Sequence, residues 1–251
     1  MKTFRYIIMG SFAASLLIGS GSCTKDSGNP SENGYNSLLD VSADGTTFLA
    51  EKGLSTLLSE NLTFSDDELE ILLHMKEEEK LAGDVYSSLY EKWGTNIFSN
   101  ISNAEINHMN AVIYLLQDYG NEYTEVKDKG VFASPDFQEL FDQLVAKGSE
   151  SVEAALQTGA LIEEMDIKDL DDHLEVVKNE NIILVFENLQ KGSRNHLRAF
   201  SSQLENIGIT YTPVYISQEE YDQIVSTPME TGSGSCINNQ NKKGKQYRGG
   251  R

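Results

Sequence analysis

The sequence predicts an all-α protein built around a four-helix bundle, and three observations support this fold class. Apolar residues recur with a helical period almost throughout the chain that follows the N-terminal segments. The four prolines all lie outside the interiors of these periodic segments, which leaves the segments free to form long helices. The chain has only two cysteines, so a hydrophobic core rather than a disulfide framework must stabilise it.

Residues 1–22 have the organisation of a signal peptide. Lys2 and Arg5 form a basic start, an apolar stretch follows at 6–18, and small residues at 19–22 precede Cys23. The run Leu-Ile-Gly-Ser-Gly-Ser-Cys at 17–23 resembles a bacterial lipobox, with Ser20 where the usual pattern has leucine. We therefore expect Cys23 to be lipidated and the protein to be a membrane lipoprotein of the bacterial cell envelope. The alternatives are a plainly secreted chain and a cytoplasmic protein.

The segment 23–60 is predicted to join this anchor to the folded domain. Residues 24–36 are rich in serine, glycine, asparagine and proline, a composition typical of a flexible tether. A short leading helix is expected within residues 40–59. The domain itself is predicted at 61–210, and 211–251 is expected to be an extension that ends in a disordered polar tail at 227–251.

The charge of the chain excludes one class of partner. The formal net charge is −19, and removing residues 1–22 deletes two positive and no negative charges, which gives −21. Binding of nucleic acid requires a basic surface that the folded part lacks. We therefore predict no nucleic-acid partner.

Capping residues define the first three helices of the domain. Ser65-Asp-Asp-Glu68 has the form of a capping box and opens a helix at about 66–92, which Gly94 ends. A second helix is predicted from about Ser102 to 119, with Gly120 as its stop. Ser134-Pro135, an N-cap followed by an N1 proline, starts a shorter extra helix at about 135–147.

Two further long helices complete the predicted bundle. Ser149 or Ser151 caps a helix at about 151–175, and another follows at about 181–206. Residues 209–216 alternate weakly and could be extended, but they have no evident partner strand.

The helical phase places at least one acid of the first long helix on the face that is expected to be buried. At about 100° per residue, Glu79 lies on the same stripe as Leu72, Met75, Ala82 and Tyr86. Glu78 is flanked by a second apolar set and remains a rival ligand. An isolated acidic triplet at 77–79 is more often a solvated turn of helix than a site.

The other three long helices each offer inward ligands. Glu105 and His108 are three residues apart and share a face of the second helix. Glu163 lies within the apolar stripe of its helix, Asp166 lies at the edge of the same face, and Glu164 is expected to face the polar side. His196 lies on the apolar stripe of the last helix. A buried histidine alone is usually structural, but carboxylates oppose burial unless a cation neutralises them, so the conjunction predicts a metal site.

The motifs resemble those of the ferritin-like superfamily, especially rubrerythrin-type four-helix bundles. The strings EEEKLAGDVY, IEEMDIKDL and GSRNHLR are similar to an uncharacterised prokaryotic family of ferritin-like domains of unknown function, over about residues 66–206. The resemblance implies an up-down-down-up bundle, with the extra short helix between its second and third long helices. It also implies two metal ions held by a glutamate on each of two helices and a Glu-x-x-His on each of the other two.

This sequence departs from that ligand set at one position. Position 193, where the last helix would supply its glutamate, is Ser193, and Asp166 is the expected replacement. The expected ligands are Glu79, Glu105, His108, Glu163, Asp166 and His196. Tyr86, seven residues after Glu79, is the candidate catalytic residue, as an electron donor or a hydrogen-bond partner. Iron is the expected metal, with manganese as an alternative.

Two functions from different classes follow. One is a dinuclear redox protein that reacts with dioxygen or hydrogen peroxide as an oxidase or peroxidase. The other is a metal-poor bundle that serves as a cell-surface interaction module. The expected partners are the membrane, a second copy of the chain in a homodimer and, for the redox function, an external electron donor.

Overall fold

The computed structural model describes residues 39–41, 47–49, 64–117 and 128–230, and these residues confirm the helical fold class. Six helices are described: α1 (Asp66–Trp93), α2 (Asn96–Gln117), α3 (Pro135–Gly148), α4 (Val152–Leu174), α5 (Glu180–Asn206) and α6 (Gln218–Ser226). A short antiparallel hairpin, β1 (Leu39–Val41) and β2 (Thr47–Leu49), precedes them, with Asp40 opposite Phe48. The prediction of a leading helix at 40–59 is therefore wrong where these strands lie.

The predicted caps form at both ends of α1. The Ser65 hydroxyl accepts the backbone N–H of Glu68, and the Glu68 carboxylate accepts the backbone N–H of Ser65. Gly94 ends the helix with a φ of 66°, in the left-handed region that glycine adopts without steric cost. Ser134 caps α3 ahead of Pro135, and Ser151 rather than Ser149 caps α4.

Contacts between helix ends define how the four long helices run. The Glu68 carboxylate at the start of α1 accepts the backbone N–H groups of Lys178 and Asn179, just before α5. The Trp93 indole at the end of α1 donates to the Gly148 carbonyl, just before α4. Helix α2 runs back along α1, where the Ser102 hydroxyl donates to the Gly83 carbonyl. Helices α1 and α5 therefore begin at one end of the bundle, and α2 and α4 begin at the other.

Two apolar layers enclose the middle of the bundle. At one end a hydrophobic cluster joins all four long helices, and its largest members include Leu72, Met75, Phe186 and Leu189. Toward the other end the rings of Tyr86, Phe98 and Phe200 pack with centroids 5.3 to 6.4 Å apart. Side chains at the midpoints of the helices are thus shielded from water on both sides.

The chain after α5 packs against the bundle and differs from the sequence-based expectation in two respects. Helix α6 was not predicted, and Thr227 to Glu230 belong to the packed structure rather than to a polar tail. Glu230 is only 1% exposed and pairs with Arg194 and Arg198 of α5. These charge-assisted hydrogen bonds attach the C-terminal extension to the helix that carries His196.

The same extension explains why the prediction for Glu164 is wrong. Glu164 was expected to face the polar side, but it is fully buried. Its carboxylate accepts the backbone N–H groups of Val214, Tyr215 and Ile216, which the extension brings over that face of α4. Helical phase describes one helix at a time and does not reveal a distant segment that covers its outer face.

Helix α2 begins earlier than predicted. It starts at Asn96 rather than near Ser102, and Phe98 and Ile101 in its first turns are buried. Its predicted end at 119 and the Gly120 stop lie outside the described residues, as do residues 1–38 with Cys23 and the tail beyond residue 230. None of the helices within 64–117 and 128–230 is long and apolar enough to cross a lipid bilayer.

Candidate metal centre

The middle turns of the four long helices bring six ionisable side chains into the bundle interior. These are the six residues that the sequence indicated: Glu79, Glu105, His108, Glu163, Asp166 and His196, each no more than 6% exposed. Glu79 comes from α1, Glu105 and His108 from α2, Glu163 and Asp166 from α4, and His196 from α5. The spacing of apolar residues around each position places it on the buried face of its helix.

Glu105 lies between the two histidines. One of its carboxylate oxygens is 2.7 Å from Nδ1 of His108, and the other is 2.9 Å from Nδ1 of His196. The two imidazole rings stack at a centroid distance of 5.5 Å. A single carboxylate therefore presents one oxygen to each imidazole.

Two further glutamates complete two matching groups. Glu79 lies 3.3 Å from Nδ1 of His108, and Glu163 lies 3.4 Å from Nδ1 of His196. One potential ligand atom from each of Glu79, Glu105 and His108 lies within 4.8 Å of the others, and the same holds for Glu105, Glu163 and His196. The arrangement offers two three-ligand groups that share Glu105.

Many polar atoms of this centre make no hydrogen bond within the described structure. They include Nε2 of His108 and of His196, together with Oε1 of Glu79 and Oδ1 of Asp166. An unsatisfied buried polar atom typically costs about 1 to 3 kcal/mol, and a bound cation would offset that cost for a cluster of them. Divalent metal ions fit this need, because carboxylate and imidazole together are common ligands for iron, manganese and zinc.

Burial and mutual repulsion perturb the acids of the metal-free centre. Burial raises the pKa of Asp166 to about 8, and burial with the nearby Glu105 charge raises that of Glu163 to about 7. Burial opposes ionisation of Glu105 as well, but the charges of His196 and His108 lower its pKa below the usual range. Burial disfavours the charged form of His196, yet Glu105 and Glu163 raise its pKa to about 10.

Asp166 lies beside the position where the last helix lacks a carboxylate. The Ser193 hydroxyl of α5 donates a hydrogen bond to Oδ2 of Asp166, and Ser193 is fully buried. The Asp166 carboxylate thus lies against Ser193, the position at which the resemblance implies a glutamate.

Tyr86 contacts the centre through one of its candidate ligands. Its hydroxyl donates to Oε1 of Glu163 and lies 3.3 Å from the Gly159 carbonyl. Burial and the Glu163 charge raise the pKa of Tyr86 well above its usual value, so the phenol stays protonated. The tyrosine can therefore orient the Glu163 carboxylate by hydrogen bonding.

Gly192 provides the space that the His108 ring occupies. A Cβ at position 192 would lie 2.5 Å from Cε1 and Nε2 of His108. At Gly83 a Cβ would instead lie 3.5 Å from Cβ of Glu105, an ordinary contact distance. The two helical glycines therefore form a matched pair for testing the role of the ring.

We expect Gly192→Ala to weaken metal binding strongly, because the new methyl group displaces the fully buried His108 ring. Gly83→Ala should retain metal binding and raise the free energy of unfolding by up to about 1 kcal/mol, since alanine favours helix over glycine. Metal content after dialysis and thermal melting measure both effects. Equal metal content in the two variants would contradict the placement of His108 at the centre.

The structure assigns Glu78 a different environment from Glu79. Both are buried, but Glu78 faces His74 and Asp169 rather than His108. His74 and Asp169 were not singled out from the sequence. The His74 and Glu78 pair, four residues apart on one helix, was the available signal for this second group.

Comparisons with known proteins match the region that forms the bundle. The model of a family described as "Uncharacterized protein domain (DUF2202)" matches residues 68–228, which include all six candidate ligands. The uncharacterized protein MJ0754 of Methanocaldococcus jannaschii is 51% identical over 169 residues, covering 67% of this chain and 91% of the relative. The crystal structure of hypothetical protein MJ0754 from Methanococcus jannaschii is similar with a TM-score of 0.66 and 49% identity, covering 68% of this chain and 98% of that one.

Proposed function

We propose that this chain, which belongs to the DUF2202 family of uncharacterised protein domains, is a ferritin-like protein that binds two iron ions between its four long helices. The observation that carries the proposal is Glu105, with one oxygen near each of two histidines and a further glutamate beside each histidine. One ion would be held by Glu79, Glu105 and His108. The other would be held by Glu105, Glu163 and His196.

The ferritin-like part of the proposal is supported by the order and direction of the helices. The first and last long helices begin at one end and the middle two at the other, as in an up-down-down-up bundle. The Glu-x-x-His pair on α2, Glu79 of α1 and Glu163 of α4 agree with the expected ligand set. In place of the missing glutamate on α5, Asp166 supplies a carboxylate against Ser193.

Two Fe(II) ions bound there would supply two electrons, which with two protons would convert one hydrogen peroxide into two water molecules. The chain's own residues would prepare the site for this chemistry. Tyr86 orients Glu163, and the apolar layers on both sides exclude bulk water. Asp166 holds a proton in the metal-free protein at neutral pH and releases it when a cation binds.

The direct test is anaerobic loading of the purified chain with Fe(II), followed by titration with hydrogen peroxide or dioxygen. We expect two tightly bound ions per chain and oxidation of both, with one peroxide consumed per two ions. Two bound ions without oxidation would limit the function to metal binding. The absence of bound metal would instead favour the interaction module.

We also propose that the protein is exported and anchored in the bacterial cell envelope through lipid on Cys23. The support is the basic, apolar and small-residue order of residues 1–23 and the resemblance of 17–23 to a lipobox. An acyl chain adds about 0.8 kcal/mol of membrane affinity per buried methylene group.

Cys23→Ala is expected to move the protein from the detergent-extracted membrane fraction to the soluble fraction, because the variant has no thiol to acylate. Cys236→Ala, which removes the other cysteine, should leave it in the membrane fraction. Fractionation and immunoblotting of both variants measure this. Finding the unaltered protein fully soluble would contradict lipid anchoring.

A further inference from the structure

A second group of potential metal ligands lies beside the buried centre, where α1 faces α4. Nε2 of His74 is 3.7 Å from Oε2 of Glu78 and 3.7 Å from Oδ2 of Asp169. One ligand atom from each of the three residues lies within 4.8 Å of the others. The His74 side chain is 29% exposed, whereas those of Glu78 and Asp169 are 6% and 8% exposed. The group therefore extends from the solvent-exposed surface at His74 to buried carboxylates in the bundle.

The Glu78 carboxylate indicates that this group has a ligand. Glu78 is only 5% exposed, and its Oε2 atom, which faces His74, has no hydrogen-bond partner among the described residues. Leaving a buried carboxylate oxygen unsatisfied is costly, and a cation in front of it removes that cost. A solvated acidic surface would leave no such oxygen.

The geometry suits a divalent cation. Bonds of about 2.1 Å to imidazole nitrogen and carboxylate oxygen in a tetrahedral arrangement separate the ligand atoms by about 3.4 Å, close to the 3.7 Å observed on both sides of His74. The His74 ring is positioned by its neighbours, with centroids 5.1 Å from Phe137 and 5.7 Å from His173. Three protein ligands would leave the remaining coordination position to water.

The group also adjoins the buried centre along both helices. Glu78 precedes Glu79 directly on α1, and Asp169 lies one turn after Asp166 on α4. Along the bundle axis, the apolar cluster and the packed aromatic rings lie on either side of the centre. A cation at His74 would thus lie within one turn of carboxylates of the centre along both helices.

We propose that His74, Glu78 and Asp169 bind one divalent cation at the partly exposed side of the bundle and deliver it to the buried centre. The binding of this cation stands independently of the proposed function. Its delivery rests on the proposed function, because delivery requires the buried centre to accept metal.

The test uses Zn²⁺ alone with the purified full chain. We expect three bound ions per chain at saturation, two in His74→Ala and two in Glu78→Gln. Glu70→Gln, which removes an exposed acid one turn before His74, should still bind three. Loading rates are measured by quenching the reaction with a chelator at successive times. We expect the two ions that still bind to His74→Ala to enter severalfold more slowly than the ions that bind to the Glu70→Gln control.

A double variant, Glu105→Gln with His108→Ala, separates the two claims. If it retains one ion that a further His74→Ala change removes, the partly exposed site is established whether or not the buried centre binds metal. Unchanged stoichiometry in both His74→Ala and Glu78→Gln would overturn the site. If His74→Ala loses one ion but loads the other two at the unchanged rate, delivery would be overturned. Far-ultraviolet circular dichroism of each variant verifies that it is folded.

Discussion

Glu105→Gln is expected to abolish tight binding of both metal ions, the largest effect of any single substitution at the centre. Its two carboxylate oxygens lie 2.7 and 2.9 Å from the two histidines, so one residue serves both three-ligand groups. Glutamine keeps the size but removes the charge and replaces one oxygen with an amide nitrogen that does not coordinate metal. Glu79→Ala should affect mainly the ion at His108, since Glu79 belongs to one group alone.

Glu164→Gln is the matched control. Glu164 is fully buried on α4, next to Glu163, but its carboxylate accepts backbone hydrogen bonds from residues 214–216. We expect this variant to lose about 1 to 3 kcal/mol of unfolding free energy, because a charge-assisted acceptor is removed, and to keep both ions. Inductively coupled plasma analysis after dialysis measures the metal content of Glu105→Gln and Glu164→Gln. Full metal content in Glu105→Gln would contradict the shared role of Glu105.

Metal is expected to stabilise the fold more strongly as the pH rises. In the metal-free protein the pKa values of Asp166 and Glu163 are raised from 3.8 and 4.5 to about 8 and about 7. A raised folded-state pKa gives stability that is present below the unfolded-state value and is lost as the pH rises through the folded-state value. Asp166 and Glu163 therefore destabilise the metal-free fold progressively between about pH 4 and pH 8.

The other shifted groups of the centre do not reverse this trend. The raised pKa of His196, about 10 against 6.5, also gives stability that is lost as the pH rises. The lowered pKa of Glu105 gives stability that is present above its ordinary value of 4.5 and changes little at higher pH.

Thermal melting with a chelator and with Mn²⁺ should therefore diverge from about pH 5.5 to about pH 8.5. A single ion at a hundredfold its dissociation constant adds about 2.7 kcal/mol to the free energy of unfolding. The chelated protein should melt at a lower temperature as the pH rises, while the Mn²⁺ protein should change less. Melting temperatures that do not respond to Mn²⁺, Fe²⁺ or Zn²⁺ at either pH would reject the metal centre and favour the interaction module.

Local rules predicted the parts of this fold that depend on a single helix. The Ser65 capping box, the Gly94 stop and the inward turn of Glu79, Glu105 and Glu163 follow from capping chemistry and from a period of 3.6 residues. These effects act over one or two turns, so the sequence alone reveals them. The same reasoning left Glu78 and Glu79 as rivals, and both are buried because α1 packs against neighbours on more than one side.

Long-range contacts account for what the sequence did not reveal. Glu164 is buried because residues 214–216 cross over it, and Glu230 is buried because Arg194 and Arg198 pair with it. The group of His74, Glu78 and Asp169 joins α1 to α4 and exists only once these helices pack. No periodicity within one segment encodes such pairings.

Anomalous diffraction from crystals of the iron-loaded protein, recorded at the iron absorption edge, tests the central claim most directly. The account predicts two anomalous peaks about 3.5 to 4 Å apart in the middle of the bundle, one on each side of Glu105. His108 should be bonded to one ion and His196 to the other. A single peak, or no peak between the four long helices, would contradict a dinuclear centre.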